Sequence, residues 1–284
     1  MKILVLGATG MLGNAMMRVF GERDDFDLSG SVRSTATVNL LPPRLQKAII
    51  PGVDVENPDQ LAGLFDRVRP DVVVNCVGIV KQLEAAEDPL TAIPINALLP
   101  HRLARLASLS NARLIHFSTD CVFSGARGGY VETDVSDAYD LYGRSKFLGE
   151  VAGAGCLTVR TSIIGHELTG RQGLVEWFLS QSGVVNGYTR AIFSGLPTVA
   201  LSKVVRDVIL PKEELSGVWH VGSDPVSKYD LLKLVASAYG RDLEIVPVDA
   251  PVIDRSLDSS RFRSATGYVP PSWPELVDEM RAFG

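Results

Sequence analysis

"KILVLGATGMLGNAMMRVF", residues Lys2 to Phe20, opens the chain with an unbroken apolar run, a glycine turn and a helical pattern. A strand that is apolar along its whole length is buried on both faces, which is the habit of parallel sheets. The theme returns in "FDLSGSVRS" (26–34), "AIIPGVDVENPDQLAGLFDRVRP" (48–70), "DVVVNCVGIV" (71–80) and "ARLIHFSTDCVFSG" (112–125). Each is followed by a helical or loop segment. Strands alternating with helices at this spacing predict an α/β fold with a Rossmann-type doubly wound parallel sheet.

The rhythm changes after "CLTVRTSIIG" (156–165). The sequence predicts a short helix around "GLVEWFLSQ" (173–181) followed by loop, a helix in "LSKVVRDVIL" (201–210) and a strand in "GVWHVGS" (217–223). "KYDLLKLVASAYG" (228–240) reads as an amphipathic helix with Leu231, Leu232, Leu234, Val235 and Ala238 on its inner side, and a proline-punctuated tail leads to a last helix from about Glu275. The expected division is a dinucleotide-binding Rossmann domain over 1–160, to which part of 195–215 returns, and a smaller α/β substrate-binding lobe over 161–284. Such a lobe stands on the carboxyl edge of the sheet, where open α/β folds bind ligands.

Composition narrows the function classes. The 284 residues are 46% hydrophobic and 21% charged with a net charge of −5, as in a soluble globular protein without a broad nucleic-acid or membrane surface. The apolar run before Gly7 is too short for a signal peptide core or a membrane span, so a cytoplasmic location is expected. Cys76, Cys121 and Cys156 are few and far apart, which predicts no disulfide framework. His101, His116, His166 and His220 lack metal-ligand spacing, so no metal is expected.

Gly7, Gly10 and Gly13 lie directly between the first strand and its helix. Glycine lets the backbone turn tightly and approach a pyrophosphate, and the helix N-terminus offers it free N–H groups. Thr9, Met11 and Leu12 share that turn. The end of the second strand offers Arg33 and Ser34 and no acid, which predicts NADP(H), with NAD(H) the alternative. Asp54 and Val55 fall where an adenine would lie, although Asp54 reads equally as a cap for the helix starting near Pro58. Cys76, Val77 and Gly78, past the fourth strand, complete the expected cofactor contacts.

"DAYDLYGRSKFLGE" (137–150) places Tyr142 one helical turn before Lys146, so a phenol and an ammonium share one face. With the glycine turn, "STD" at Ser118 to Asp120 and Asn96, this resembles the extended short-chain dehydrogenase/reductase superfamily. Within it the chain is most similar to the dTDP-4-dehydrorhamnose reductase family, through "AEDPLTAIPIN", "STDCVFSG", "YGRSKFLGE", "VRTS", "GLPT" and "GVWH". The resemblance implies an NADPH-dependent oxidoreductase acting on a keto group of a nucleotide-linked deoxysugar. Tyr142 would be the general acid, and Lys146 would hold the nicotinamide ribose and steady the phenolate. Thr119 would bond the same oxygen, and Asn96 would support the helix or a water chain near Lys146.

The resemblance implies Asp120, Cys121 and Ile163 as substrate contacts and Arg255 on the nucleotide diphosphate, whose charge its fork suits, while Lys81 reads equally as a contact to substrate or phosphate and as a solvated loop lysine. Cys121 and Ile163 stand where the family commonly has aromatic residues. Ile192 and Phe193 replace its Asp-Gln pair, which implies an altered sugar pocket. His116, inside an apolar strand, reads as a hydrogen-bonded core residue. Leu174, Trp177 and Phe178 read as packing of the second lobe. Two alternatives stay open at this stage, an epimerase or dehydratase that retains NAD and a cofactor-binding regulatory subunit. A homodimer is likewise left open.

Overall fold

The computed structural model describes all 284 residues. The first six strands, β1 (Lys2–Leu6), β2 (Asp27–Val32), β3 (Ile49–Pro51), β4 (Val72–Asn75), β5 (Arg113–Thr119) and β6 (Cys156–Thr161), lie parallel. The second half adds β7 (Ile163–Ile164), β8 (Val184–Tyr188), β9 (Ala191–Phe193), β10 (Leu196–Pro197) and β11 (Gly217–His220). Three further strands follow, β12 (Val226–Ser227), β13 (Glu244–Val248) and β14 (Ile253–Asp254). The main sheet has seven strands in the order β11-β6-β5-β4-β1-β2-β3. Chain direction across the sheet reverses between β1 and β4, the switch point at which such folds open a crevice.

Both faces are covered. Met16, Met17, Val19 and Phe20 of helix Met11–Phe20 pack with Val199, Leu201 and Val205 in one continuous core that also includes Leu231, Val235, Leu276 and Met280. On the other face Leu61, Leu64 and Phe65 join Leu99, Leu103 and Ala107 over Leu4, Leu6, Val73 and Leu114. The first of these cores runs through segments from both halves of the chain, so the later segments are seated on the sheet by apolar burial.

Three boundaries differ from the sequence reading. Strand Gly217–His220 pairs with β6, Trp219 opposite Val159, and so extends the main sheet beyond the 195–215 stretch expected to return to it. The segment after Gln181, read as loop, forms β8 and β9, because β8 pairs in parallel with the distant β13 and that partner cannot be seen locally. The last helix starts at Trp273: Ser272 and Glu275 form a reciprocal capping box, with Pro274 tolerated in the first turn. In helix Lys228–Tyr239 the buried side chains are Leu231, Leu232 and Val235. No helix is long and apolar enough to cross a membrane.

Candidate active site

Parallel register brings the strand ends into line. Leu6 lies opposite Ser31 and Asn75, Asn75 opposite His116, and Thr119 opposite Thr161. The residues just beyond them, Gly7, Arg33, Cys76 and Asp120, therefore share the carboxyl edge.

The glycine turn is built by close approach. Gly7 has φ +78°, and a Cβ there would meet Val77 Cγ2 at 3.0 Å, so the turn is pressed onto the segment after β4 at the switch point. A Cβ on Gly13 would fall 2.0 Å from the Gly7 carbonyl oxygen, so only glycine lets the helix start against the turn. Gly10 precedes helix Met11–Phe20 with no side-chain cap, leaving the first-turn N–H groups to an outside anion. Arg33 is exposed without an ion-pair partner at the end of β2, with Ser34 beside it. This cradle fits a dinucleotide phosphate. Asp54 does not cap the following helix: Asn57 Oδ1 accepts from Asp59 and Gln60 N–H, while Asp54 closes a turn through Glu56 N–H at 3.0 Å and Val55 follows it half-buried.

Helix Leu141–Leu148 carries the tyrosine and lysine, and two glycines press it home. A Cβ on Gly143 would lie 2.2 Å from the Cys121 carbonyl oxygen, and one on Gly149 would lie 1.9 Å from the Asn96 carbonyl oxygen. Asp140 caps the helix by accepting from Gly143 N–H at 2.7 Å. Lys81 holds that cap from outside, its Nζ 2.6 Å from Asp140 Oδ2, so it steadies the start of this helix. Asn96 Oδ1 accepts from Ile79 N–H at 2.9 Å, while its Nδ2 donates to the Ile79 carbonyl and to Ser145 Oγ. It thereby ties the segment after β4 to the helix.

Lys146 is 6% exposed and donates to the Phe117 carbonyl at 2.6 Å. Burial pushes its ammonium down to about 8, with Glu150 opposing the fall. Gly78 lies against the ammonium, where a Cβ would stand in ordinary contact 3.7 Å from Nζ. Tyr142 is half-buried, and loss of water raises its phenol above the ordinary value, while the Thr119 hydroxyl pulls the other way. Thr119 Oγ1 donates to Asp120 Oδ1 at 3.0 Å and accepts from Cys121 N–H. Asp120 is shifted up by burial, countered by Thr119 and Arg255. The Cys121 thiol is pushed up to about 12, again by burial, so it offers a soft neutral surface. The Cys76 thiol is raised by the same cause. Arg255 anchors its Nε on the Phe123 carbonyl at 2.8 Å. Ile163, half-buried, pairs with Leu196 beside the sheet edge.

Sequence reasoning missed the support beneath this edge. Glu150 and Arg160 make a bidentate pair, with Nε and Nη2 each 2.7 Å from a carboxylate oxygen and the side chains only 6% and 4% exposed. Ser118 Oγ donates to the same carboxylate at 2.7 Å. The signal was present: an arginine inside the apolar strand "CLTVRT" needs a buried acid. Asn75 and His116 form a second buried pair at 3.1 Å.

The family model described as "RmlD substrate binding domain" matches residues 1–282. A dTDP-4-dehydrorhamnose reductase of Escherichia coli is 28% identical, with 99% of this chain and 97% of the relative covered. Methionine adenosyltransferase 2 subunit beta of Mus musculus is 23% identical over 98% and 89%. The solved structure of a Bacillus anthracis dTDP-4-dehydrorhamnose reductase in complex with NADP superposes with a TM-score of 0.79 at 21% identity, covering 100% of this chain and 99% of that one.

Proposed function

Because the chain belongs to the RmlD substrate binding domain family, we propose that it is an NADPH-dependent oxidoreductase that reduces the keto group of a nucleotide-linked deoxysugar, as dTDP-4-dehydrorhamnose reductases do. The observation that carries the reading is the pair on helix Leu141–Leu148, a protonated phenol one turn from a buried ammonium beside the end of β5. Gly7, Gly10 and Gly13 would hold the cofactor's pyrophosphate, Arg33 and Ser34 its 2′-phosphate, and Gly78 would face its nicotinamide end. A bound NADPH supplies the hydride.

The chain's own groups supply the rest. Tyr142, protonated at neutral pH as any phenol is, gives its phenolic proton to the carbonyl oxygen. The phenolate left behind is unfavourable in a dry site unless a cation faces it, and Lys146 provides that charge. Thr119 would turn its single hydroxyl proton from Asp120 Oδ1 to the same oxygen when the substrate is bound. Arg255 offers a fork for the diphosphate, and Asp120, Cys121 and Ile163 form the wall against the sugar. The parts of 161–284 outside the main sheet are the substrate lobe in this reading, supported by the seating of Gly173 against Met11 of the glycine turn, where an added Cβ would meet Met11 Cε at 2.8 Å.

The test is a panel of dTDP-, UDP- and GDP-linked 4-keto-deoxysugars, followed by loss of NADPH absorbance and repeated with NADH. Oxidation of NADPH by one member, abolished by Tyr142→Phe, supports the reading. Silence across the panel, or turnover indifferent to Tyr142→Phe, defeats it. The likeness to methionine adenosyltransferase 2 subunit beta favours a second reading, a cofactor-binding regulatory subunit. It wins if Tyr142→Phe leaves intact a measurable effect on a partner enzyme's kinetics.

A further inference from the structure

His166, Glu176 and Tyr239 form a hydrogen-bonded chain that the chemistry above does not use. His166 Nδ1 lies 2.6 Å from Glu176 Oε1, and its Nε2 lies 2.8 Å from the Tyr239 hydroxyl. A carboxylate only accepts, so Nδ1 carries a proton toward Glu176, and in the neutral ring Nε2 accepts from the Tyr239 O–H. The side chains of His166 and Glu176 are only 21% and 24% exposed. The chain joins three elements distant in sequence, the exit of β7, helix Leu174–Leu179 and the end of helix Lys228–Tyr239.

What it holds is the segment between β7 and helix Leu174–Leu179, and that segment ends on the glycine turn. At its start a Cβ on Gly165 would lie 2.4 Å from Thr198 Oγ1, so the backbone leaves β7 pressed onto helix Thr198–Val204. Glu167, next to His166, folds the segment back on itself, its Oε2 accepting from the Gln172 and Gly173 N–H groups at 2.9 and 3.2 Å. At its end Gly173 stands against Met11, where a Cβ would meet Cε at 2.8 Å. The imidazole grips both ends at once: its own backbone belongs to the start of the segment, and Glu176 belongs to the helical turn that follows Gly173. Arg171 lies exposed between them.

We propose that His166 is a positioning residue for the cofactor: bridging Glu176 and Tyr239, it clasps residues 165–173 to the second lobe so that Gly173 stays on Met11 and walls the phosphate cradle of Gly7, Gly10 and Gly13. Met11 opens the helix whose first-turn N–H groups are left to the phosphate. A segment that drifts from Met11 lets water compete for those donors. The proposal rests on the reading of the glycine turn as the cofactor's cradle.

Tyr239→Phe removes one hydroxyl and one hydrogen bond of the clasp, and His166→Leu removes both bonds. Two quantities are measured on the purified protein, the rate at which trypsin cuts after Arg171, followed by mass spectrometry of fragments 1–171 and 172–284, and the NADPH Kd by fluorescence titration. In wild type, saturating NADPH slows the cut. Tyr239→Phe raises both the cutting rate and the Kd about three- to tenfold, as loss of one hydrogen bond holding a local segment should. In steady state the effect falls on the KM for NADPH and not on kcat, a split that a general loss of folding does not give. If His166→Leu does not fold, as judged by circular dichroism, Tyr239→Phe is read alone. Wild-type cutting and wild-type Kd in Tyr239→Phe overturn the proposal, as does a faster cut at Arg171 with an unchanged Kd, or an equal acceleration at every tryptic site. Any of these in a protein whose wild type binds NADPH removes the clasp and leaves the cofactor reading standing; a wild type that binds no NADPH removes both.

Discussion

Alanine at each glycine of the first turn separates folding from ligand binding. At Gly13 the new Cβ falls 2.0 Å from the Gly7 carbonyl oxygen and 2.8 Å from its carbon, inside distances that real atoms adopt, and both are backbone. The helix start must retreat from the turn, an overpacking expected to destabilise by about 1–3 kcal/mol. The same retreat opens the anion cradle, so NADPH affinity falls at least tenfold, or about 1.4 kcal/mol. At Gly10 the Cβ meets only the Gly7 oxygen at 3.4 Å, an ordinary contact. Gly10→Ala should therefore fold with near-wild-type stability while still weakening NADPH binding, because its methyl group occupies the phosphate's approach. Gly63, inside helix Pro58–Val68 with nothing within 4 Å of an added Cβ, is the control. Alanine there should stabilise by about 0.5–1 kcal/mol and leave binding alone. Urea unfolding reads stability, and NADPH fluorescence titration reads affinity. A Gly13→Ala protein with wild-type stability and wild-type NADPH affinity would refute the reasoning.

Tyr142→Phe should lower kcat by about 10²–10⁴ with unchanged NADPH affinity, measured by steady-state kinetics and titration; a loss below tenfold removes the phenol from the proton step. Lys146→Met should abolish turnover yet stabilise the fold at pH 7 by about 1–3 kcal/mol in urea melts, because the buried ammonium is kept at a cost. The sign follows from its lowered pKa: between about 8 and the ordinary lysine value of about 10.4 the unfolded chain keeps the proton longer, so this group's contribution to stability rises with pH across that window and the Met variant's advantage shrinks. Glu150→Gln should destabilise by about 3–5 kcal/mol by stranding Arg160, and adding Arg160→Met should recover part of that loss; simple additivity of the two would count against a coupled pair. Arg33→Ser should erase the preference for NADPH over NADH by raising the NADPH KM, and an unchanged ratio would free Arg33 of the 2′-phosphate.

The first half of the fold was legible because its signals are local: buried strands announce themselves as apolar runs, and the glycines mark the one turn that must be tight. The Tyr142–Lys146 pair was legible for the same reason, being four residues apart on one helix. What escaped depends on partners distant in sequence. Strand β8 is "VVNGY", poor evidence for a strand until β13 is laid beside it. Lys81 looked free in "GIVKQ", but its acid, Asp140, lies 59 residues on. Asp54 and Asn57 are both good caps three residues apart, and the helix start chose between them. His116 was rightly read as a hydrogen-bonded core residue.

The assignment of Gly217–His220 to the edge of the main sheet bears on synthesis. Strand β6 is complete at Thr161, but the strand that covers its outer edge begins about 56 residues later. At roughly 5–20 residues per second the nascent chain presents an open ladder of N–H and C=O groups for about 3–11 seconds. Such an edge invites pairing with another copy emerging from the same messenger RNA. Two charged or polar side chains inside β6, Thr158 and Arg160, interrupt its apolar surface during that interval and act as gatekeepers.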